Sequence, residues 1–526
     1  MSDVLLIAGL GPAHLSHADR DGSFFSPSFS DEDSYVLDGY RYFPTDLAEI
    51  QGDTERKLLQ PRTEAELISN HLCTVFDNAK ISYDFLHIKS IWNNSIIEND
   101  KYSIICLSTS FMWSEYMLDY AIEWIFQNIK FDYLIVGGQY AALKKDYVLN
   151  KWQNVSFVSI GDADISLVPL VNCLLNGKDW RAVPCISWCE NSIVKQTAYK
   201  ETDINSNFIV KFKNSYHMIP YIAMRGCPYH CAFCAQSECC PVWQYRSAEQ
   251  IANDWKLFKN QGYNHIDVHD STFFIPFKKI EELLPLIFDV GVTWSANCRA
   301  DTPLTDENCK LLEKSGCIDL YFGFESMSDT VLGYMNKNTT SSQNRYINQL
   351  FSNSKINTTM SFIVGFPGEN PTEFYKTRDY LLNEHIGFFT SAVFELEDER
   401  IPIWKQRNRF NIQLYKDKND DFKWRHGGNN WSHCGMTSKE AQSLRECLIN
   451  DIRNSDSSLA VCRSWQYQFL FPIVSRQNKK TTMRIEKLLD RLVYLNKDYH
   501  TKEEKQAALK KIVAELNYHG IFGTKI

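Results

Sequence analysis

The sequence contains no long apolar run and no excess of basic residues. No stretch approaches the roughly 18–20 apolar residues that a membrane-spanning helix needs. The short apolar run near the start has no basic region before it, which argues against a signal peptide. The 526 residues carry a net charge of −8, whereas a nucleic-acid-binding surface needs concentrated Lys and Arg. We therefore expect a cytoplasmic protein with neither a membrane nor a nucleic acid as partner.

Internal repeats, low-complexity tracts and the closely spaced cysteines of a small secreted protein are also absent. The 16 cysteines are scattered through apolar segments, and in a reducing compartment such cysteines are usually buried thiols unless they cluster as metal ligands. The length suggests about three domains. A content of 44% hydrophobic and 23% charged residues is typical of a globular protein.

Residues 1–200 alternate strand-like and helix-like segments. The apolar strand-like segments are 4–7, 81–86, 103–108, 133–136 and 155–160, and a helix-like run covers 115–127. Buried strands separated by helical lengths predict an α/β domain with a Rossmann-like, doubly wound parallel sheet, whose ligands bind at the carboxyl ends of the strands. The polar, irregular residues 176–214 predict a small hairpin and a linker.

A second strand–helix series covers residues 201–410. Its six strand-like segments are 219–223, 265–268, 293–296, 320–324, 360–364 and 389–394, with helical lengths such as 248–260 and 278–288 between them. Six such units predict a partial (β/α)6 TIM-type barrel with its chemistry at the carboxyl ends of the strands. Residues 411–526 are predicted to be mainly helical, with an aromatic-rich stretch at 465–471.

Three cysteines follow the first barrel strand within eight residues. Cys227, Cys231 and Cys234 can supply three thiolates to a [4Fe–4S] cubane and leave the fourth iron without a protein ligand. Structural zinc is the alternative, and it normally needs four closed ligands. His230 is the nearest candidate for a fourth, although it lies between two of the cysteines.

The spacing Cys227-x3-Cys231-x2-Cys234 resembles the signature of radical S-adenosylmethionine (SAM) enzymes, with Phe233 at the aromatic position before the last cysteine. In that family the cluster cleaves SAM to a 5′-deoxyadenosyl radical, which abstracts hydrogen from an unactivated carbon. The downstream segments 297–301, 321–326, 335–337 and 362–369 also resemble recurrent family segments in the same order.

The resemblance implies roles for individual residues around SAM. Arg299 and Glu325 would bind its ribose or methionyl part, Phe233 would border the adenine, and Gly365 would allow close approach of the backbone. Arg299 and Glu325 could instead form a salt bridge with each other, and the glycines could form only a turn. The usual small-residue motif after the second strand is replaced by residues 269–273, His-Asp-Ser-Thr-Phe, similar to a variant found in cobalamin-linked members.

A doubly wound domain before such a barrel resembles the cobalamin (B12)-binding subclass. The resemblance implies that Ser108, the pair Gly137 and Gly138, and Gly161 lie in corrinoid-binding loops at strand ends. The chain departs from the pattern in two respects. Residues 1–200 contain no Asp-x-His-x-x-Gly for a lower axial histidine, and Tyr140 stands where the family often has histidine.

Cys434 is a candidate catalytic residue, because Thr437 or Ser438 predicts a helix N-cap and so places this cysteine in a loop. A thiol there could return a hydrogen atom to a substrate radical, although packing at a domain junction is the alternative. The leading interpretation is a cobalamin-dependent C-methyltransferase acting on a peptide or natural product. A peptide epimerase with an empty N-terminal domain and Cys434 as hydrogen donor is the alternative, and a non-catalytic iron–sulfur scaffold is a third reading. Either enzyme needs an electron donor such as flavodoxin or ferredoxin.

Overall fold

The structure is a computed structural model, and it describes most of the chain. The described residues are 2–9, 35–37, 40–42, 66–92, 101–110, 112, 115–205, 209–212, 218–236, 240, 242–396, 401–415, 430–462, 478–493 and 501–518. The aromatic-rich stretch 465–471 lies outside them. Among these residues, no helix combines the length and the apolar character that crossing a membrane requires.

The described residues form two compact units. The first takes its residues from 1–24, 64–263 and 395–431, and the second takes them from 25–63, 264–394 and 432–526. The predicted domain boundaries at 200 and 410 remain a prediction.

The first unit contains a seven-stranded sheet. Its strands are β1 (Val4–Ala8), β4 (Asp84–His87), β5 (Lys101–Ser108), β6 (Lys130–Gly137), β7 (Phe157–Ser159), β8 (Ile186–Glu190) and β9 (Ile193–Gln196). Their order is β4-β1-β5-β6-β7-β8-β9. The first five are parallel, and the predicted hairpin β8–β9 extends the edge in antiparallel fashion.

Helices cover both faces of this sheet. They are α1 (Leu67–Asn78), α2 (Lys89–Trp92), α3 (Glu115–Asn128), α4 (Gln139–Leu143), α5 (Lys145–Lys151) and α6 (Leu167–Leu175). Alternate strand residues face opposite sides, so that Leu5 and Ile105 pack with α3 and α5, whereas Leu6 and Ile104 pack with α1 and α6. Burial of both faces explains the continuous apolar runs in the strands. The predicted doubly wound domain is confirmed.

The rest of the first unit surrounds the cysteine loop. It consists of β10 (Met218–Tyr221), β11 (Met224–Arg225), β12 (Gln244–Tyr245), α7 (Ala248–Asn260), a 3-10 turn (Pro402–Gln406), α13 (Arg407–Phe410) and β18 (Gln413–Tyr415). The side chain of Ser247 accepts the N–H of Gln250 and so caps α7. Strand β18 pairs with β19 (Asn430–Ser432).

The second unit contains parallel strands that alternate with helices. The strands are β13 (His265–Val268), β14 (Thr293–Arg299), β15 (Cys317–Glu325), β16 (Asn357–Val364), β17 (Ile386–Val393) and β20 (Leu459–Cys462). Each pairs in parallel with the next in this order. Five predicted barrel strands correspond to β13–β17, and the first predicted strand corresponds to β10. A small antiparallel pair, β2 (Tyr35–Leu37) and β3 (Tyr40–Tyr42), also belongs to this unit.

Several helices of the second unit begin at strong sequence signals. The helices of this unit are α8 (Phe277–Ile287), α9 (Asp306–Lys314), α10 (Asp329–Tyr334), α11 (Ser341–Phe351), α12 (Pro371–Asn383), α14 (Ser438–Asn454), α15 (Lys479–Val493) and α16 (Lys502–Tyr518). Capping boxes begin with Thr305, Thr340 and Thr437. The predicted N-cap at Thr437 is confirmed, and the mainly helical C-terminal region contains α14–α16 together with β20.

Candidate active site

The loop that carries the three predicted cluster cysteines has a narrow base. Arg225 at the end of β11 pairs with Gln244 of β12, which holds the two ends of the loop together. Gly226 has a φ of 70°, and a Cβ at this position would lie 2.2 Å from the carbonyl oxygen of Val242. Side chains of L-residues rarely tolerate such a backbone conformation. The crossing at the base of the loop therefore requires glycine.

The three cysteines differ in exposure. Cys231 is buried, Cys227 and Cys234 are half-buried, and none of them is in a disulfide. The N–H of Cys234 donates to the carbonyl of Cys231 at 3.1 Å, which forms a turn with half-buried Phe233 inside it. The described residues contain no group of three His, Cys, Asp or Glu side chains around one metal position. Thiols on one loop fit an iron–sulfur cubane, because each cysteine binds a different iron atom.

Arg299, at the carboxyl end of β14, is held by two partners. Its guanidinium forms a fork with Asp301, with distances of 2.9 Å from Nε to Oδ1 and 3.0 Å from Nη2 to Oδ2. It also donates to the main-chain carbonyl of Lys337. The guanidinium is thus fixed in one orientation, and a fork of this kind suits recognition of a carboxylate.

Glu325, at the end of β15, is buried and has a φ of 61°, an uncommon conformation for a residue other than glycine. Its Oε1 lies 2.8 Å from Nζ of Lys337, and Oε2 accepts the hydroxyl of Ser361 at 3.3 Å. Both members of the ion pair are at most 8% exposed. Arg299 and Glu325 each pair with a partner that the sequence did not identify.

Gly365 begins a tight loop between β16 and α12. Its φ is 82°, and Gly368 has a φ of 96°. The N–H of Gly365 donates to Oε2 of Glu369 at 2.6 Å. Burial raises the pKa of Glu369 to about 8, so that this carboxyl group is mostly protonated at neutral pH.

Cys434 lies beside this loop of the second unit and is exposed. Its neighbour His433 accepts the N–H of Gly435 on Nδ1 at 3.0 Å, and Nε2 donates to the carbonyl of Gly365 at 3.1 Å. Burial lowers the pKa of His433 to about 4, so that the imidazole is neutral. A Cβ on Gly435 would lie 1.8 Å from the carbonyl oxygen of Glu369. The structure therefore brings together the loops of Cys434 and Gly365.

The ends of β5 and β6 meet at the carboxyl edge of the first sheet. Ser108 pairs with Gly137, and the hydroxyl of Thr109 donates to the carbonyl of Gly137 at 2.9 Å. Gly138 has a φ of 101°, and a Cβ there would lie 2.8 Å from the backbone nitrogen of Ser110. Gly138 is therefore required by the close approach of the chain's own loop.

Gly161, after β7, is crowded in the same manner. A Cβ there would lie 2.6 Å from the Cβ of Cys185. Tyr140, at the position where the family often has histidine, is buried.

Strand β1 lies between β4 and β5, so the strand order reverses at the ends of β1 and β5, where parallel sheets of this kind bind their ligands. Ser108 is placed at this reversal.

A chain of polar side chains runs from β13 and β14 to His269, which begins the segment where the usual SAM motif was missing from the sequence. Nε2 of His269 lies 3.0 Å from Asp267, Asp267 also accepts the hydroxyl of Ser295, and Nε2 of His265 lies 3.1 Å from that hydroxyl. Burial alone would raise the pKa of Asp267, but the hydrogen bonds from His269 and Ser295 outweigh it and hold the pKa below its usual range. Asp267 is thus a fixed carboxylate at a strand end.

Sequence reasoning missed several of these partners. Lys337 lies in a segment noted for its resemblance to the family, but only its position 2.8 Å from Glu325 assigns it a contact. Asp301 could have been found, because a single residue, Ala300, separates it from Arg299 at a strand end. His433 gave only the signal of an unusually polar segment.

Comparisons with known proteins agree with this arrangement. Residues 221–381 match the family model of the radical SAM superfamily. An uncharacterized methyltransferase of Pyrococcus horikoshii is 24% identical over 286 residues, which cover 51% of this chain and 61% of that protein. The bacteriochlorophyllide d C-12(1)-methyltransferase of Chlorobaculum tepidum is 29% identical over 180 residues, which cover 32% of this chain and 39% of that enzyme.

Solved structures extend the likeness beyond the family model. The radical SAM methyltransferase TsrM from Kitasatospora setae, with cobalamin and a [4Fe–4S] cluster bound, has a TM-score of 0.61 at 12% identity, covering 90% of this chain and 99% of that chain. The cobalamin-dependent SAM radical enzyme OxsB, with aqua-cobalamin and SAM bound, has a TM-score of 0.57 at 16% identity, covering 88% and 74%.

Over residues 221–381 the chain matches the radical SAM superfamily, and the predicted resemblance is confirmed. Its fold is that of the cobalamin-dependent members TsrM and OxsB, with a Rossmann-like domain joined to a radical SAM domain. Those neighbours carry the three cofactors that the sequence resemblance implies.

Proposed function

We propose that this protein is a cobalamin-dependent radical SAM enzyme that methylates an unactivated carbon of a natural product or peptide. The observation that carries the proposal is that one compact unit contains both the doubly wound sheet and the cysteine loop. The methyltransferases of Pyrococcus horikoshii and Chlorobaculum tepidum and the likeness to TsrM support methyl transfer as the reaction.

In this proposal the three cysteines Cys227, Cys231 and Cys234 hold the cluster. When bound, the cluster supplies an electron to SAM, and cobalamin carries the methyl group. Cys231 is buried, whereas Cys227 and Cys234 are half-buried, so solvent reaches part of the donor set. An external electron donor such as flavodoxin or ferredoxin completes the system, and we place the reaction in the cytoplasm.

The side chains at the strand ends of the second unit orient SAM in this proposal. Arg299 and Glu325 offer a cation and an anion, held by half-buried Asp301 and buried Lys337 respectively. Groups fixed before the ligand arrives lose little conformational freedom when it binds. Gly365 adds a turn with a left-handed φ, and glycine has no side chain that would obstruct the ligand.

The loops after β5, β6 and β7 bind the corrinoid in this proposal. The space that a side chain would take at each of these glycines is already occupied by neighbouring protein atoms. The glycines therefore shape the loops and do not themselves leave a gap for the ligand. Ser108, at the strand reversal, offers a hydroxyl, and the chain has no Asp-x-His-x-x-Gly in this part. His87, at the end of β4, donates from Nε2 to Glu66 at 2.9 Å, and its Nδ1 accepts the N–H of Lys89. Since both ring nitrogens are used, we expect cobalamin to bind without a histidine below the cobalt.

The test combines two measurements on the full chain. Changing all three cysteines to alanine should abolish iron loading and the formation of 5′-deoxyadenosine from SAM, whereas a variant of surface Cys189 should keep both. Hydroxocobalamin added to the cluster-loaded chain should co-elute in gel filtration at about one corrinoid per chain. Cleavage of SAM at the full rate by the triple variant would refute the radical mechanism, and absence of corrinoid would refute methyl transfer.

Peptide epimerisation is a second candidate, because Cys434 is exposed beside the Gly365 loop. A thiol hydrogen exchanges with solvent, so an epimerase would place one solvent deuterium in its product when the reaction runs in deuterated water. A methyltransferase would add a SAM-derived methyl group instead.

A further inference from the structure

Asp162 joins three segments of the first unit. It directly follows Gly161 in the loop after β7, and its carbonyl accepts the N–H and the hydroxyl of Ser166. Its carboxylate accepts the hydroxyl of Thr202 at 2.7 Å and forms an ion pair with Arg225. The backbone of Asp162 is thus held by the turn that follows it, and its side chain is held by two donors from elsewhere in the unit.

Arg225 stands at the entrance to the cysteine loop. It is the last residue of β11, and only Gly226 separates it from Cys227. The narrow crossing at Gly226 leaves little freedom in the chain at this point. The contacts of Arg225 therefore act within two residues of the first cysteine of the loop.

Other titratable groups lie near the pair. A second carboxylate, Asp164, lies 3.9 Å from Arg225, and burial raises its pKa. Burial, together with the charge of Arg225, lowers the pKa of nearby His71 to about 4, so His71 adds no positive charge at neutral pH. A small cavity of about 60 Å³ borders His71, Asp164 and Arg225. Arg225 therefore places its positive charge beside both aspartates.

The ion pair is neither a surface contact nor fully buried. The side chain of Arg225 is 23% exposed and that of Asp162 is 32% exposed, so solvent screens the attraction only in part. One guanidinium nitrogen, Nη1, makes the contact with Asp162, and the planar guanidinium on its longer side chain presents that nitrogen differently from the ammonium group of a lysine.

We propose that Asp162 and Arg225 form a positioning pair that fixes the cysteine loop against the loop after β7. This inference rests on the proposed function, in which the first loop holds the cluster and the second borders the corrinoid. The pair then sets the separation of the two cofactors without touching the substrate.

The test measures that separation. The full chain is loaded with its cluster and with hydroxocobalamin and is reduced until cluster and cob(II)alamin are both paramagnetic. The spin-relaxation rate of cob(II)alamin then reports its distance from the cluster, on which it depends steeply. The variants are Asp162→Asn and Arg225→Gln, and the matched control is Asp164→Asn, which removes a neighbouring carboxylate that is not hydrogen-bonded to Arg225.

Both variants should keep the iron and corrinoid content of the natural chain, but the relaxation rate of cob(II)alamin should shift and spread. Asp164→Asn should behave as the natural chain does. Arg225→Lys, which keeps the charge without the guanidinium and serves if Arg225→Gln does not fold, should also shift the rate, but by less than Arg225→Gln. Unchanged relaxation in Asp162→Asn and Arg225→Gln would overturn the positioning role alone. Loss of corrinoid from Asp162→Asn but not from Arg225→Gln would also overturn it, because Asp162 would then be a direct ligand. A natural chain that loads the cluster but retains no corrinoid would instead refute the proposed function.

Discussion

The natural chain should become less stable to unfolding as the pH rises, because of Glu369. Replacing Glu369 by glutamine should abolish this pH dependence. Burial raises the pKa of this carboxyl from its ordinary 4.5 to about 8 in the folded chain. The folded state therefore holds a proton that the unfolded state releases at lower pH. For a raised pKa, the stabilising contribution is complete below about pH 4.5 and is lost as the pH rises towards 8.

The size of the effect follows from the two pKa values. Between them each pH unit removes about 1.4 kcal/mol of unfolding free energy. Between pH 5 and pH 7 the loss from this one group is about 2.5 kcal/mol, since the unfolded group is already partly protonated at pH 5. Glutamine keeps an oxygen that can accept the N–H of Gly365 but does not titrate, so the variant should lack this slope.

The assay is urea unfolding of the natural chain and of Glu369→Gln at pH 5, 6 and 7, followed by circular dichroism. The matched control is Glu384→Gln, which changes an exposed glutamate paired with Arg345. The difference in unfolding free energy between natural chain and Glu369→Gln should change by about 2.5 kcal/mol across this range in favour of the variant, and the control should run parallel to the natural chain. Parallel slopes for Glu369→Gln and the natural chain would refute the reasoning.

Three further perturbations have expected outcomes. Lys337→Ala should cost about 3–5 kcal/mol of unfolding free energy, because it leaves buried Glu325 without its cation. The control Lys376→Ala, which removes an exposed lysine, should cost less than about 1 kcal/mol. Equal costs for the two variants would contradict the argument. Asp119→Ala should lower the free energy of thermal unfolding by about 1–3 kcal/mol, because its carboxylate accepts three hydrogen bonds that join α3 to α5 and to Trp152, which follows α5. An unchanged melting temperature would count against this. Cys434→Ala should leave the yield of 5′-deoxyadenosine, measured by chromatography, unchanged, because the hydrogen bonds of His433 hold this loop. A parallel loss of SAM cleavage would show that the cysteine acts earlier than product formation.

Strand positions were predictable wherever burial makes a strand continuously apolar. Val4–Ala8 and Ile386–Val393 lie close to their predicted positions, and α7 has its predicted bounds because Ser247 provides an N-cap signal. Strand β20 was missed: its four residues, Leu459–Cys462, are too few to show a period, and its assignment depends on pairing with β17, which is remote in sequence.

The candidate site was predictable where chemistry depends on local spacing. The three cysteines lie on one loop because eight residues contain all of them. Apart from Asp301, the partners of Arg299 and Glu325 are instead brought together by folding, and no spacing rule connects Glu325 with Ser361. The ion pair between Asp162 and Arg225 joins positions 63 residues apart in the chain, so only the structure identifies it.

Strand β20 has a consequence for how the chain is made. It covers the edge of β17, where it pairs with Ile386–Val393, and Lys487 of α15 donates to the carbonyl of Ser458 just before it. Until these residues have left the ribosome, β17 presents unpaired backbone groups and aromatic residues such as Phe388, which is a template for aggregation. A chain that stops near residue 410 would keep this edge permanently open. We therefore expect such a shortened product to accumulate in inclusion bodies, even though it contains every predicted cluster cysteine.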